Sequence, residues 1–327
     1  MNSEGKVLCL KVSSVMQNRE RHLGSTKGTI SQLAERMDFT MKKTLALVFA
    51  AIMTMLLITG CMGKKAEYVV LDEALADEQY GIGFRKADQT LRDEVQKTLV
   101  EMKKDGELAK ITEKWFGEDT STVPETFTPT ESNDDSLNKI KQKGKLILGL
   151  DSSFPPMGYE NDQGEIIGYD IDLANEVCKR MGVELVLQPI VWAQNVTELK
   201  DGNIDCIWNG MTINDERKAA MNMSEPYMNN RQVVVTLKNS GIKKLSDLEG
   251  KSVILQAGST AVEALDGRAD IKDKIKDGKA IEVKDNVLAM YELQKGSGDA
   301  VVMDEIVSRY YIAHLNELPT GESSEEN

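Results

Sequence analysis

Apolar and polar positions fall into short, regular patterns over most of this chain. Residues 145–151 read KLILGLD, a brief apolar run closed by an acid, whereas residues 169–182 read YDIDLANEVCKRMG, with apolar positions at three- and four-residue spacing before a glycine. The first predicts a strand and the second an amphipathic helix stopped at Gly182. The alternation continues. VELVLQPI (183–190), IDCIWNG (204–210) and RQVVVTLK (231–238) predict strands, and SDLEGKSVILQAGSTAVEAL (246–265) predicts a capped turn, a strand and a helix. A helix around LAMYELQKG, the strand DAVVMD and the helix EIVSRYYIAHLNE follow, after which only PTGESSEEN remains past Leu318. Strands alternating with helices predict parallel sheets covered by helices, an α/β architecture. The second sheet of this series lacks a closing strand.

Upstream lies a piece without an evident sheet of its own. Residues 68–84, YVVLDEALADEQYGIGF, hold two β-rich runs joined by an acidic, helix-compatible stretch. A helix pair follows: Thr90 is a good N-cap, Leu91, Val95, Leu99 and Met102 form an apolar stripe, Gly106 ends the first helix, and Leu108, Ile111 and Trp115 supply a shorter second one. Residues 118–136, EDTSTVPETFTPTESNDDS, are acidic, aperiodic and rich in Thr and Pro, the composition of a linker.

Residues 41–61, MKKTLALVFAAIMTMLLITGC, combine two lysines, a long apolar run and small residues before a cysteine. This resembles a bacterial lipoprotein signal in which Cys61 is lipidated and becomes the mature N-terminus, a plain transmembrane anchor being the alternative. Residues 1–40 are polar and without clear periodicity, and they precede a segment that normally opens a protein; translation is expected to begin at Met41. The whole chain of 327 residues carries a net charge of −13, and removal of residues 1–61 leaves 32 basic against 49 acidic residues, a net charge of −17. That balance disfavours nucleic acid and anionic lipid surfaces as partners. Besides Cys61 only Cys9, Cys178 and Cys206 occur, with no CxxC, and Cys178 and Cys206 are expected as buried free thiols. His22 and His314 are the only histidines, which leaves a His-based metal site or a Ser-His triad without parts. No cofactor or metal is expected.

LGLDSSFPPMGY, GEIIGYDIDLANEV, GNIDCIWNGMTINDERKAAMNMSEPY, VILQAGSTA and GDAVVMD carry a resemblance that covers residues 137–321. They are similar to the N-terminal four-fifths of bacterial solute-binding proteins of family 3, the polar amino acid binding partners of ABC importers. YVVLDEALADEQYGIGFRK and LRDEVQKTLVEMKKDGELAKITEKWFG resemble the C-terminal fifth of the same family, placed ahead of the rest. The resemblance therefore implies a circularly permuted, two-lobed type II periplasmic binding protein (Venus flytrap) fold, each lobe a mixed, mainly parallel sheet flanked by helices. The alternative is a rearranged gene with an incomplete product. On this reading lobe one combines residues 137–225 with 81–117, lobe two combines residues 232–321 with 67–71, and residues 118–136 join the old chain ends within lobe one. The crossings between lobes fall near residues 226–231 and 72–80. Surface termini that lie close together make such a rearrangement physically reasonable.

The resemblance also implies site residues. Arg217 resembles the family arginine that grips an amino acid α-carboxylate, with Gly210, Met211 and Thr212 adding backbone groups and a hydroxyl. Ser259 and Thr260, at the start of a helix, would aim amides at the same carboxylate, and Asp304 would take the ammonium. Burying both ligand charges requires such full pairing. Asp151 and Phe154 resemble positions that meet the ligand side chain, and Trp192 would form an apolar wall or stack on a flat group, with core packing as its other role. A buried Asp151 favours basic or amide side chains, whereas Gln256 stands where some relatives carry a lysine. The implied function is an extracytoplasmic lipoprotein, anchored at the outer face of the cytoplasmic membrane, that captures a free L-amino acid as a monomer and delivers it to an ABC permease. An enzyme on the same fold, such as a cyclohexadienyl-type dehydratase, and an amino acid sensing module are the other readings.

Overall fold

The computed structural model describes residues 66–314. The signal-like segment, Cys61 and residues 1–40 lie outside them. Among the described residues no helix is long and apolar enough to cross a membrane.

The strands are β1 (Tyr68–Val70), β2 (Ala76–Phe84), β3 (Lys145–Leu150), β4 (Ser153–Phe154), β5 (Gly158–Glu160), β6 (Ile166–Ile167), β7 (Glu184–Pro189), β8 (Cys206–Thr212), β9 (Asn222–Met223), β10 (Met228–Leu237), β11 (Val253–Gln256), β12 (Ile281–Val283) and β13 (Ala300–Asp304). One sheet runs in the order β12-β11-β13-β10-β2-β8-β3-β7, with β1 beside β10 and β9 beside β2, while β4, β5 and β6 form a small sheet of their own. Its outer pairs, β3 with β7 and β8 and β11 with β12 and β13, are parallel. The middle is antiparallel and is made by two long strands. β2 pairs with β10 through Ala76–Tyr80 against Met228–Gln232, then continues against β8 from Tyr80 to Phe84; β10 continues against β13. The upstream piece thus supplies both β1 and the central β2, which follow one another along the edge of β10 opposite β13.

The expected acidic, helix-compatible stretch between the two runs is not a helix. Asp72 to Leu75 form a bend and Ala76 already begins β2, where residues 78–84 bury every position except Gln79. Pairing on both edges outweighs the weak local helical preference there.

The helix Gln89–Asp105 buries Leu91, Val95, Leu99 and Met102 completely and stops at Gly106, as their spacing predicts. Thr90, expected to cap it, lies inside its first turn. The start is held instead from residues 118–136: the Thr90 and Leu91 N–H groups donate to the Asp134 carboxylate (2.9 Å) and the Ser136 hydroxyl (3.1 Å). That segment is also fixed at its other end and middle. Ser121 bridges to Met228, Val123 is buried, the Thr130 N–H donates to Asp93, and Phe127 sits under the Arg92 guanidinium at 5.2 Å. The helix pair Gln89–Asp105 and Glu107–Phe116 packs on the helix Tyr169–Met181, while helices Thr260–Asp266, Asn286–Lys295 and Glu305–Ala313 cover the β10–β11–β13 half. Cys178 and Cys206 are buried free thiols, and burial pushes the Cys178 thiol up to about 12.

Candidate functional site

Ligands of open α/β sheets sit beyond the carboxyl ends of the parallel strands. Here those ends converge: β3 ends at Leu150 before Asp151, β8 at Thr212, β11 at Gln256 and β13 at Asp304. Asp151, Phe154, Trp192, Gly210, Thr212, Arg217, Ser259, Thr260 and Asp304 line a single cavity, together with Asn209 and Gln256. Of the residues expected at the site, only Met211 is absent from this lining. Its side chain lies in the apolar cluster of Trp192, Leu199, Ile204 and Ile207, because adjacent positions of a strand face opposite sides. Trp192 belongs to that cluster and to the cavity wall at once.

The cavity is small, about 10 Å³, room for about one water molecule. The two halves meet across it. Gln256 Nε2 donates to Asp151 Oδ2 at 2.7 Å, the hydroxyls of Thr212 and Thr260 lie 3.1 Å apart, Asn214 Nδ2 donates to both Glu263 oxygens, and the Tyr311 hydroxyl donates to the Ser153 carbonyl at 2.7 Å. Gly258 comes so near that a Cβ there would lie 2.9 Å from the Ala193 Cα. Anything larger than about one water molecule therefore enters only when the halves part.

Arg217 belongs to the short helix Asp215–Ala220, capped by the Asn214 side chain. Its Nη1 donates to the Thr212 carbonyl at 2.9 Å and its guanidinium lies 6.0 Å from the Trp192 ring centroid. Burial draws its pKa down from the ordinary value, opposed by the Glu78, Glu263 and Asp304 carboxylates. Asp151 spends one oxygen on the Ser153 N–H and hydroxyl and the other on Gln256; burial pushes its pKa up and these bonds pull it back. Gln256 is itself steadied by Asn286, which donates to its Oε1 at 3.1 Å.

Asp304 is buried at the junction of the crossing strands. Its Oδ1 accepts from the Tyr80 hydroxyl at 2.6 Å and from Asn230 Nδ2 at 2.7 Å. Burial, then the nearby Glu78 carboxylate, push its pKa up to about 7. Beneath the site Asp170 is fully buried and accepts from the Gly210 N–H and the Tyr227 hydroxyl, both at 2.8 Å; burial raises it to about 7 against those bonds.

Chemistry-bearing residues beyond those expected from the sequence are Glu78, Tyr80, Asn209, Asn230 and Gln232. Each lies in or beside strands whose pairing was not visible locally, and Glu78 stood in the stretch that looked helix-compatible. The signal available was the acid two positions before Tyr80 in an extended crossing, which period-2 alternation places on the same face as the tyrosine.

Three comparisons bear on this geometry. The profile of the bacterial extracellular solute-binding proteins, family 3, matches residues 6–118 and 146–307. The chain belongs to that family. Among its relatives, the L-cystine-binding protein TcyJ of Escherichia coli strain K12 is 32% identical over 192 residues, 57% of this chain and 70% of TcyJ. The arginine-binding extracellular protein ArtP of Bacillus subtilis strain 168 is 29% identical over 194 residues, 59% of this chain and 74% of ArtP. Of solved structures, an ABC uptake transporter substrate-binding protein from Streptococcus pneumoniae with bound histidine superposes with a TM-score of 0.55 at 33% identity, covering 57% of this chain and 76% of that one. The type II periplasmic binding protein fold follows from these together.

Proposed function

We propose that this family 3 protein captures one free polar L-amino acid between two closing lobes and hands it to the permease of an ABC importer, without chemistry. One observation carries the reading: Arg217 from one half and Asp304 from the other line the same closed cavity. A guanidinium and a carboxylate placed on opposite walls match the carboxylate and ammonium of an amino acid, and both ligand charges need such partners once buried. Ser259, Thr260 and Thr212 complete the carboxylate end in this proposal, whereas the Gly210 N–H expected there is already spent on Asp170. Asp151, Phe154 and Trp192 meet the side chain. Basic or amide side chains are favoured because Asp151 already receives an amide N–H, that of Gln256, from across the cleft. The relatives named for cystine and arginine support a nitrogen-rich or zwitterionic polar ligand. Lipid anchoring through Cys61 at the outer face of the cytoplasmic membrane belongs to the same proposal.

A panel of free amino acids tested for thermal stabilisation, with mass spectrometry of the ligand after incubation, separates binding from turnover. Stabilisation with unchanged ligand is expected; chemical conversion of the ligand would mean an enzyme. In calorimetry Arg217→Ala is expected to weaken the stabilising amino acid by about 3–5 kcal/mol, since the ligand carboxylate is left buried and unpaired. Affinity within a few-fold of wild type would remove Arg217 from the site.

A further inference from the structure

Asp304 does not stand alone at its end of the cavity. Glu78, nine-tenths buried on β2, shares a donor with it: Asn230 Nδ2 reaches Glu78 Oε2 at 3.0 Å and Asp304 Oδ1 at 2.7 Å. The other donors on Glu78 are also uncharged, the Thr212 hydroxyl at 3.1 Å and Gln232 Nε2 at 3.0 Å, all of them on Oε2. Two further acceptors complete the surroundings, because Asn230 Oδ1 and Gln232 Oε1 are buried without a hydrogen-bond partner. Two carboxylates and two amide oxygens thus face a shortage of donors in a low-dielectric place. Buried acceptors without donors are costly, and two neighbouring carboxylates do not both ionise freely there.

We propose that Glu78 makes ligand capture proton-coupled: Asp304, held beside the Glu78 carboxylate, keeps a proton before an amino acid binds, and the ligand's ammonium group displaces it. The step balances. One proton leaves an Asp304 carboxyl for solvent, one R–NH3+ takes its place beside two carboxylates, and the charge at this end of the site is unchanged. Solvent is at hand, since Glu78, Asn230, Thr212 and Thr260 also line a hollow of about 790 Å³ that adjoins the cavity. The charged and titratable groups facing Asp304 are Glu78 and Tyr80 on β2, Arg217 and, across the cavity, Asp151; β10 presents the amides Asn230 and Gln232, while Arg231 is paired with Glu305 at 2.7 Å. Only Asp304 among the facing groups combines a hydrogen-bonding place at the ammonium end with a pKa raised into the working range, because Tyr80 is held protonated by burial.

The inference rests on the assignment of Asp304 to the ligand ammonium, and the test keeps the two apart. The amino acid that stabilises the protein most, from a panel of L-arginine, L-histidine, L-glutamine and L-cystine, is titrated calorimetrically at pH 7 in phosphate and in Tris, whose ionisation enthalpies differ. The expected result is release of roughly half a proton per ligand at pH 7, rising towards one near pH 6 and vanishing near pH 8, above which the ligand's own amine takes up protons on binding, with affinity falling towards tenfold per pH unit on the acid side. In Glu78→Gln the like charge beside Asp304 is gone, its proton is held less firmly, and release at pH 7 is expected to fall by about half or more. Equal heats in both buffers for a wild type that binds would overturn proton coupling and leave amino acid capture standing. Unchanged release in a folded Glu78→Gln would overturn the part given to Glu78. If no amino acid binds the wild type, both this inference and the proposed function fall.

Discussion

A methyl group added at Gly258 would meet the Ala193 Cα at 2.9 Å, and the residue already has φ of +71°, a conformation that side chains disfavour. Gly258→Ala is therefore expected to hinder closure as well as folding. Ligand affinity should drop about tenfold, on top of a fall of several degrees in the ligand-free melting temperature from the strained φ alone; a variant with wild-type affinity would show that closure does not bring these two backbones together. Asp170 offers a pH-dependent counterpart. Its folded-state pKa is raised to about 7 from 3.8, so the stability it contributes is fully present below about pH 4 and is lost as pH rises through 7. The melting temperature of wild type relative to Asp170→Asn should fall steadily from pH 4 to pH 7.5. A constant difference would mean that Asp170 is ionised throughout. At this scale the sequence was informative wherever a residue sits at the end of a predicted strand. Asp151, Thr212 and Asp304 could be found that way, because strand ends in α/β sheets converge. Glu78, Asn230 and Gln232 could not, because their roles depend on β2 and β10 lying side by side although some 150 residues separate Glu78 from Asn230 along the chain.

At the scale of elements, the helix Gln89–Asp105 shows what periodicity reveals and what it hides. Its apolar stripe and its end at Gly106 follow from local spacing, but its cap comes from residues more than forty positions away. Burial works against the Asp134 carboxylate, yet the Ser136, Ser132 and Thr90 hydrogen bonds outweigh it and hold its pKa well below the usual range. Asp134→Ala should cost about 1 kcal/mol, typical of a lost helix cap. Because the pKa is depressed on folding, that contribution is present above about pH 4 and disappears on acidification. Denaturant melts of the two proteins at pH 7, 4, 3 and 2 check this: the difference should shrink stepwise below pH 4, and one that stays undiminished down to pH 2 would mean packing rather than charge. Residues 118–136 looked like an unstructured connection because Thr, Pro and acids carry no period. Their order comes from Val123, Phe127 and Thr130 finding partners on the helix Gln89–Asp105 and on β10, contacts that no local pattern announces.

At the scale of the whole molecule, the unusual feature is chain order. β2 lies between β10 and β8 in the sheet, yet precedes both in sequence, and the helix pair after it covers elements that begin only at residue 136. Circular permutation within one chain is the proposal that suits this order, with residues 118–136 as the join. Its rival is a reciprocal exchange, in which residues 67–117 of one chain complete a second copy. Exchange needs the join to swing free, whereas here it is bonded along its course, from Ser121 on Met228 through Thr130 on Asp93 to Asp134 on Thr90. Releasing those contacts would cost the helix its cap and expose Val123, so the single-chain arrangement is favoured. Light scattering on residues 62–327, with the stabilising amino acid titrated in, is expected to show a ligand-binding monomer. A dimer that dissociates only on unfolding would support exchange. Limited proteolysis gives an independent reading of the same contacts: residues 118–136 should resist cleavage in wild type and become sensitive in Asp134→Ala. Rapid cleavage there in the wild type would show that the join is loose and would remove the main argument against exchange.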